Sequence, residues 1–266
     1  MSPMNNRLLV PRKVPGLLDL VPGAAAAYSL RSLSRSYADP VVTVRRSSDD
    51  DEGSFTAAEV SDGTLAAWCG AGDGFVKQWW DQSGNENHAV AAADPNEPQI
   101  VDSGVVVTEE GKPALQFDGT DSYFLMTSAA SLVTAFIVAA NKATTNAVQY
   151  VVAGVTSGIF LNGTVAIYNN IGVYDGALIA KKAGAGDNSQ HLIALISQPS
   201  GTSLYVDGAL EATGATSTLT AGAIGTRPDS LALKANGTIQ EVIIYPSDLT
   251  AQRELAEGLI AWGYSV

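Results

Sequence analysis

Short apolar runs broken by Asp-Gly and Asn-Gly pairs constrain this chain more than any other feature. The pairs are Asp118-Gly119, Asn162-Gly163, Asp175-Gly176, Asp207-Gly208 and Asn236-Gly237. Asn, Asp and Gly tolerate the positive φ angles of two-residue hairpins, so each pair predicts a tight turn between antiparallel strands. The runs around them have strand length: 105–108, 114–117, 124–126, 134–140, 149–155, 158–161, 165–168, 171–174, 191–197, 203–206 and 239–245. Strands recurring at this spacing without intervening helices predict an all-β fold, an antiparallel β-sandwich. The end of the chain differs. Thr250 suits an N-cap, and Leu255, Ala256, Leu259 and Ile260 recur at helical spacing before Gly263, which predicts one short C-terminal helix.

Upstream the texture changes twice. Residues 1–23 are punctuated by Pro11, Pro15 and Pro22. Each X-Pro step favours extended backbone, so this stretch reads as an extended N-terminal arm. The expected organisation is therefore an anchoring arm over 1–23 and one sandwich domain over 24–266. Residues 24–37 predict a short helix stopped by Pro40. A strand follows over 41–44, and further apolar weight lies at 65–68 and 75–80.

Charge and cysteine usage narrow the function classes. The chain has 266 residues, with 27 acidic against 15 basic side chains and a formal charge of −12. Such a balance argues against neutralising nucleic-acid phosphates or coating an anionic membrane. No run approaches the roughly 18 apolar residues of a membrane span. Cys69 stands alone, which excludes an intrachain disulfide and a multi-thiolate metal site, and predicts folding in a reducing cytosol. The opening residues show no apolar signal-peptide core.

Candidate sites are few. Trp79, Trp80, Asp81, Gln82, Asn85, Asn87 and His88 form a compact polar and aromatic group, suited either to a carbohydrate-binding shelf or to a structural turn. Arg45 and Arg46 precede the acidic run Asp49 to Glu52. Internal pairing that closes this loop is the expected reading, and Ca²⁺ held by Asp49, Asp51 and Glu52 is the alternative. No strand candidate carries the alternating carboxylates that a glycosidase of this architecture can show, and Glu241, flanked by Gln240 and Val242, is expected to face outward. Ser83 lacks a triad, because His191 has no acid beside it in the sequence.

Two stretches resemble a known family. Ala27-Tyr28-Ser29-Leu30-Arg31 through Ser36-Tyr37, then Val44-Arg45-Arg46-Ser47-Ser48-Asp49, resemble the start of the catalytic domain of fungal-type α-L-arabinofuranosidase B. Trp80-Asp81-Gln82-Ser83-Gly84-Asn85-Glu86-Asn87-His88 resembles that family's Tyr-Asp-Gln-Ser-Gly-x-x-Asn-His motif. The resemblance covers about residues 27–100 and implies a concanavalin-like sandwich (jelly roll). That family's catalytic carboxylates lie further along, where this chain offers no matching Met-Glu-Ala strand, so activity is not carried over. The rest is similar to laminin-G-like, lectin-like modules. The opening Asn5-Asn6-Arg7-Leu8-Leu9-Val10-Pro11-Arg12 resembles the amino terminus of bacteriophage virion proteins.

These readings together predict a non-enzymatic virion structural protein, a capsid decoration or tail fibre component made in the bacterial host cytoplasm. Asn5, Arg7, Leu8, Leu9, Val10 and Arg12 would bind other virion proteins, the assembly would be a homotrimer, and the lectin-like domain would present a carbohydrate-binding face to a host surface glycan. No cofactor other than Ca²⁺ is expected. The rival readings are an arabinofuranosidase-like glycoside hydrolase acting on host polysaccharide and a free bacterial lectin-like module.

Overall fold

The computed structural model describes residues 15–142, 148–161, 170–184 and 188–264. The chain is an antiparallel β-sandwich whose sheet closes almost completely on itself. One wall runs, in spatial order, Ala209–Gly214, Gly201–Val206, Gln190–Gln198, Thr134–Asn141 and Asn236–Tyr245. The far edge of Asn236–Tyr245 is shared by Ala26–Ser29 and Leu115–Asp118. The opposite wall runs Leu178–Ala183, Asn170–Asp175, Ser157–Leu161, Gln149–Ala153, Leu219–Ile224 and Phe124–Leu132. It continues through Ala89–Val90, Gly74–Trp79, Val42–Arg46 and Glu52–Phe55. Gln99–Asp102 pairs with both Gly74–Trp79 and Leu115–Asp118 and joins the walls.

Between the walls lie Tyr28, Trp79, Phe117, Phe124, Ile137, Ile193, Val242 and Ile244, all fully buried. Each such side chain contributes about 1.5–3 kcal/mol through removal from water. A second apolar layer forms on the outside of the first wall, where Leu17, Val21, Ala256, Ile260 and Tyr264 cover Phe136, Val138, Ile243 and Tyr245. Thr134–Asn141 and Asn236–Tyr245 are therefore covered on both faces, which explains why nearly every residue in them is buried and why Thr134–Asn141 reads as an almost unbroken apolar run.

The helix expected over 24–37 is instead the strand Ala26–Ser29 and a loop. Ala26 and Tyr28 face the inner core while Ala27 faces the outer layer, and Glu241–Ile244 supplies the backbone partners. The segment expected as an arm contains a helical turn, Leu17–Leu20, with Leu17 fully buried. Leu18 N–H bonds Leu33 O at 2.9 Å, and Tyr245 O–H bonds Val21 O at 2.7 Å, so residues from Leu17 onward belong to the folded body. Asn5, Arg7, Leu8, Leu9, Val10 and Arg12 lie outside the described residues.

The apolar weight at 65–68 is the helix Thr64–Cys69, preceded by Ala57–Ser61, whose start is capped reciprocally by Thr56 and Glu59. Asp175-Gly176 and Asp207-Gly208 are hairpin turns as expected. Asn236-Gly237 instead opens the long strand. Gly237 adopts φ 145°, and a Cβ there would stand 2.1 Å from Ala140 O. The pair Asn162-Gly163 and the strand expected over 165–168 fall outside the described residues. The C-terminal helix is Arg253–Tyr264, and Thr250 donates to Asp248 Oδ1 at 2.6 Å rather than capping it. No helix among the described residues is long and apolar enough to cross a membrane.

Candidate functional site

A groove of about 500 Å³ opens where the two walls join, lined by Arg45, Phe75, Asp94, Glu97, Gln99, Gln116, Asp118 and their neighbours. Strand register explains the assembly. Arg45 stands opposite Phe75, Phe75 opposite Gln99, and Gln99 opposite Gln116, so four adjacent strands carry one continuous row. Glu97 precedes Gln99 by two residues and Asp118 follows Gln116 by two, and alternation of side chains brings both carboxylates to the row.

The two carboxylates have opposite environments. Glu97 is almost wholly buried, accepts from Arg45 Nε at 2.9 Å through Oε2, and has no hydrogen-bond partner for Oε1 among the described residues. Burial pushes its carboxyl up, against the opposing pull of Arg45. Asp118 Oδ1 accepts from Ser122 Oγ at 2.7 Å and from the N–H groups of Thr120, Asp121 and Ser122 at 2.9, 3.0 and 3.1 Å. Burial acts to raise this carboxyl as well, but the Ser122 hydroxyl and the three amides outweigh it and hold the group below its ordinary value. Asp94 stands 3.9 Å from Arg45 Nε, and the Arg45 guanidinium lies 5.4 Å from the Phe75 ring centre.

Oppositely shifted carboxyls in one cleft are what acid–base chemistry on a sugar acetal uses. Glu97 and Asp118, which no single strand brings together, thus line one groove. Sequence reading missed them because Glu97 lies in the loop ahead of Gln99–Asp102 while Asp118 ends a different strand. The available signal was the pair of alternating motifs Glu97-Pro98-Gln99 and Gln116-Phe117-Asp118.

The expected sugar shelf is a structural clasp. Trp79 is fully buried, its ring 5.7 Å from Tyr28 and 6.2 Å from Phe124. Asp81 accepts Ala27 N–H at 2.8 Å and the Ser83 hydroxyl at 2.7 Å. Gln82 accepts Leu33 N–H at 2.8 Å and donates to Ser29 O and Arg31 O at 3.0 and 2.9 Å. Asn85 donates to Ala24 O, and Asn87 bonds Ser128 in both directions. Trp80 donates to Thr43 Oγ1 at 3.0 Å and packs on His88, whose Nδ1 accepts Asp81 N–H at 3.2 Å. The motif turns its polar atoms inward to stitch the first strand to the core.

The acidic run is closed internally. Arg46 grips Asp49 at 2.7 Å and reaches Asp51 at 3.4 Å, Arg45 holds Asp50 at 2.8 Å, and Lys77 pairs with Glu52. The Arg46 guanidinium holds the Asp49 carboxyl down to about 2. Asp49, Asp51 and Glu52, the alternative Ca²⁺ ligands, turn toward these cations and not toward one another. No group of three or more metal-ligating side chains converges among the described residues.

Two further expectations change. Glu241 faces away from the inner core, yet the C-terminal helix covers it completely. His191 does meet an acid, with Nδ1 2.8 Å from Asp207 Oδ2.

No family model and no curated protein sequence matches the chain. Solved structures do. A mutant GH54 α-L-arabinofuranosidase soaked with 4-nitrophenyl α-L-arabinofuranoside shares the fold with TM-score 0.67 and 18% identity over 91% of this chain. An arabinofuranosidase complexed with arabinofuranosyl-α-1,2-xylobiose shares it with TM-score 0.65 and 18% identity, again over 91%. The chain spans 63% of the length of either protein. At this identity the likeness establishes the fold. It also overturns the expectation of a non-enzyme, since that expectation took the sandwich for a lectin-like scaffold and the structures it matches along nearly its whole length are enzymes holding sugar ligands.

Proposed function

We propose that the chain is a carbohydrate-active domain of the glycoside hydrolase type, which receives a sugar unit of a host polysaccharide in the Arg45–Glu97–Asp118 groove. The observation that carries this reading is the pair of carboxyls on one groove wall, one shielded and raised, the other bonded and lowered. Gln99 and Gln116 are placed to bond hydroxyls, and the half-buried Phe75 offers an apolar edge to a sugar ring. Glu97 then donates its proton to the glycosidic oxygen as the bond to the anomeric carbon breaks, and the leaving sugar departs as an alcohol. Asp118, kept ionised, faces the positive charge that develops and accepts a proton from the water that adds to that carbon.

The test is release of 4-nitrophenol from 4-nitrophenyl α-L-arabinofuranoside and of reducing ends from capsular polysaccharide. Glu97→Gln and Asp118→Asn are each expected to lower turnover about 100-fold or more, with unchanged circular dichroism. Absence of turnover on every such substrate, or full activity in both variants, sinks the reading.

A place on a phage particle, in a homotrimer held through Asn5 to Arg12, is proposed on the resemblance of that opening segment alone. Removing residues 1–14 spares Leu17 and Val21 and is expected to leave a folded chain. Normal incorporation of that truncated chain into particles, or a monomeric mass for the full chain, counts against it.

A further inference from the structure

On the outer layer, away from the groove, the Asp207-Gly208 turn overhangs the C-terminal helix and leaves a recess of about 340 Å³. Leu192 forms its apolar back, and Asp207, Arg253, Glu254 and Glu257 supply its charge. We infer that this recess is a second binding site, for a small ligand that carries a primary ammonium group beside hydroxyls, as an unacetylated amino sugar does.

Three observations converge on it. The Glu257 side chain is 9% exposed, and although Oε2 pairs with Arg253, Oε1 has no hydrogen-bond partner among the described residues. An orphaned buried carboxylate oxygen is costly, and an N–H donor would satisfy it. Next, Gly258 sits inside the helix, where glycine costs about 1 kcal/mol relative to alanine. Neither backbone nor packing requires it, since a Cβ added there would meet nothing within 4 Å. Its bareness keeps the recess open.

Finally, the charges are unequal. Three carboxylates stand against one guanidinium, and Arg253 is already engaged by Glu257, by Glu254 at 3.2 Å, by Gly208 O at 3.4 Å and by the Tyr205 ring at 4.1 Å. Asp207 is fixed from behind, with Oδ1 taking Leu192 N–H at 3.0 Å and Oδ2 bonding His191. A cation fits this balance and an acidic sugar does not.

The test is a ¹H–¹⁵N titration of the full chain with glucosamine, N-acetylglucosamine and glucose. Glucosamine is expected to shift the Gly208 and Gly258 amides saturably, with a Kd on the order of millimolar, while the two uncharged sugars leave them in place. Gly258→Leu fills the recess and is expected to abolish the shifts, and Glu257→Gln is expected to weaken binding about 10-fold. Asp118→Asn leaves the shifts unchanged, which keeps this site distinct from the groove. Equal response to N-acetylglucosamine, no response to glucosamine, or saturable shifts that persist in Gly258→Leu would overturn the inference. Gly258→Leu decides the matter even if Glu257→Gln fails to fold.

Discussion

Arg31 donates to both carboxylate oxygens of Glu241, through Nε to Oε2 and through Nη2 to Oε1, each at 2.9 Å. Ser29 Oγ and Tyr264 O–H also donate to Oε2, at 2.7 and 3.0 Å. Burial by itself would lower the pKa of Arg31, but the carboxylate outweighs it and holds the guanidinium above its ordinary value. The first strand, the last strand and the C-terminal helix thus meet on one ion pair.

Removing Arg31 leaves the Glu241 charge buried, with only the Ser29 and Tyr264 hydroxyls as donors and no countercharge. Arg31→Met is expected to lower unfolding free energy by about 3–5 kcal/mol, measured by urea denaturation. Replacing both partners with apolar residues is expected to recover much of the loss. A single variant as stable as the parent would show that the pair is not closed in solution.

The clasp makes a similar demand without charge. Gln82→Ala strips Leu33 N–H, Ser29 O and Arg31 O of their partner, at about 1–3 kcal/mol for each group that water cannot reach. Thermal melting is expected to register the loss, and the proposed hydrolysis, per folded molecule, is expected to stay unchanged. A selective loss of activity in this variant would restore the motif as a sugar-contacting surface.

Asp118 titrates below its unfolded value of 3.8. The stabilisation it brings is therefore fully present above that pH and is lost as pH falls through the lower folded value. Asp118→Asn is expected to flatten the dependence of the urea midpoint on pH below 3.8. Glu97 shifts the other way, so its ionisation weighs against the fold as pH rises through its raised value, and Glu97→Gln is expected to remove that slope. Parallel pH curves for parent and variants would contradict both assignments.

Gly237→Ala places a methyl against Ala140 O in a backbone region that other residues avoid. A loss of about 3 kcal/mol is expected, from strain and overpacking together. Unaltered melting would mean that the strand start relaxes freely.

The sandwich was legible because its hairpins are local: Asp207-Gly208 needs only its own two residues to turn the chain. What failed was set by distant partners. Ala26 to Ser29 reads as helix from composition and becomes a strand because Glu241–Ile244 lies beside it. Glu241 reads as exposed, and it is buried because Arg31 and Tyr264 come to it from far along the chain. The groove was invisible for the same reason, since Arg45, Phe75, Glu97 and Asp118 become neighbours only once four strands are in register. The Asp-Gln-Ser-Gly segment drew notice for its polar side chains, yet those are the atoms that bond the backbone.

The pairing of Ala26–Ser29 with the strand that ends at Tyr245 bears on synthesis as well as on stability. During translation the early strand has no ladder to join until residues 241–244 have left the ribosome. The two walls therefore join long after the first strand has emerged, and a product that stops ahead of residue 236 leaves that strand without its mate.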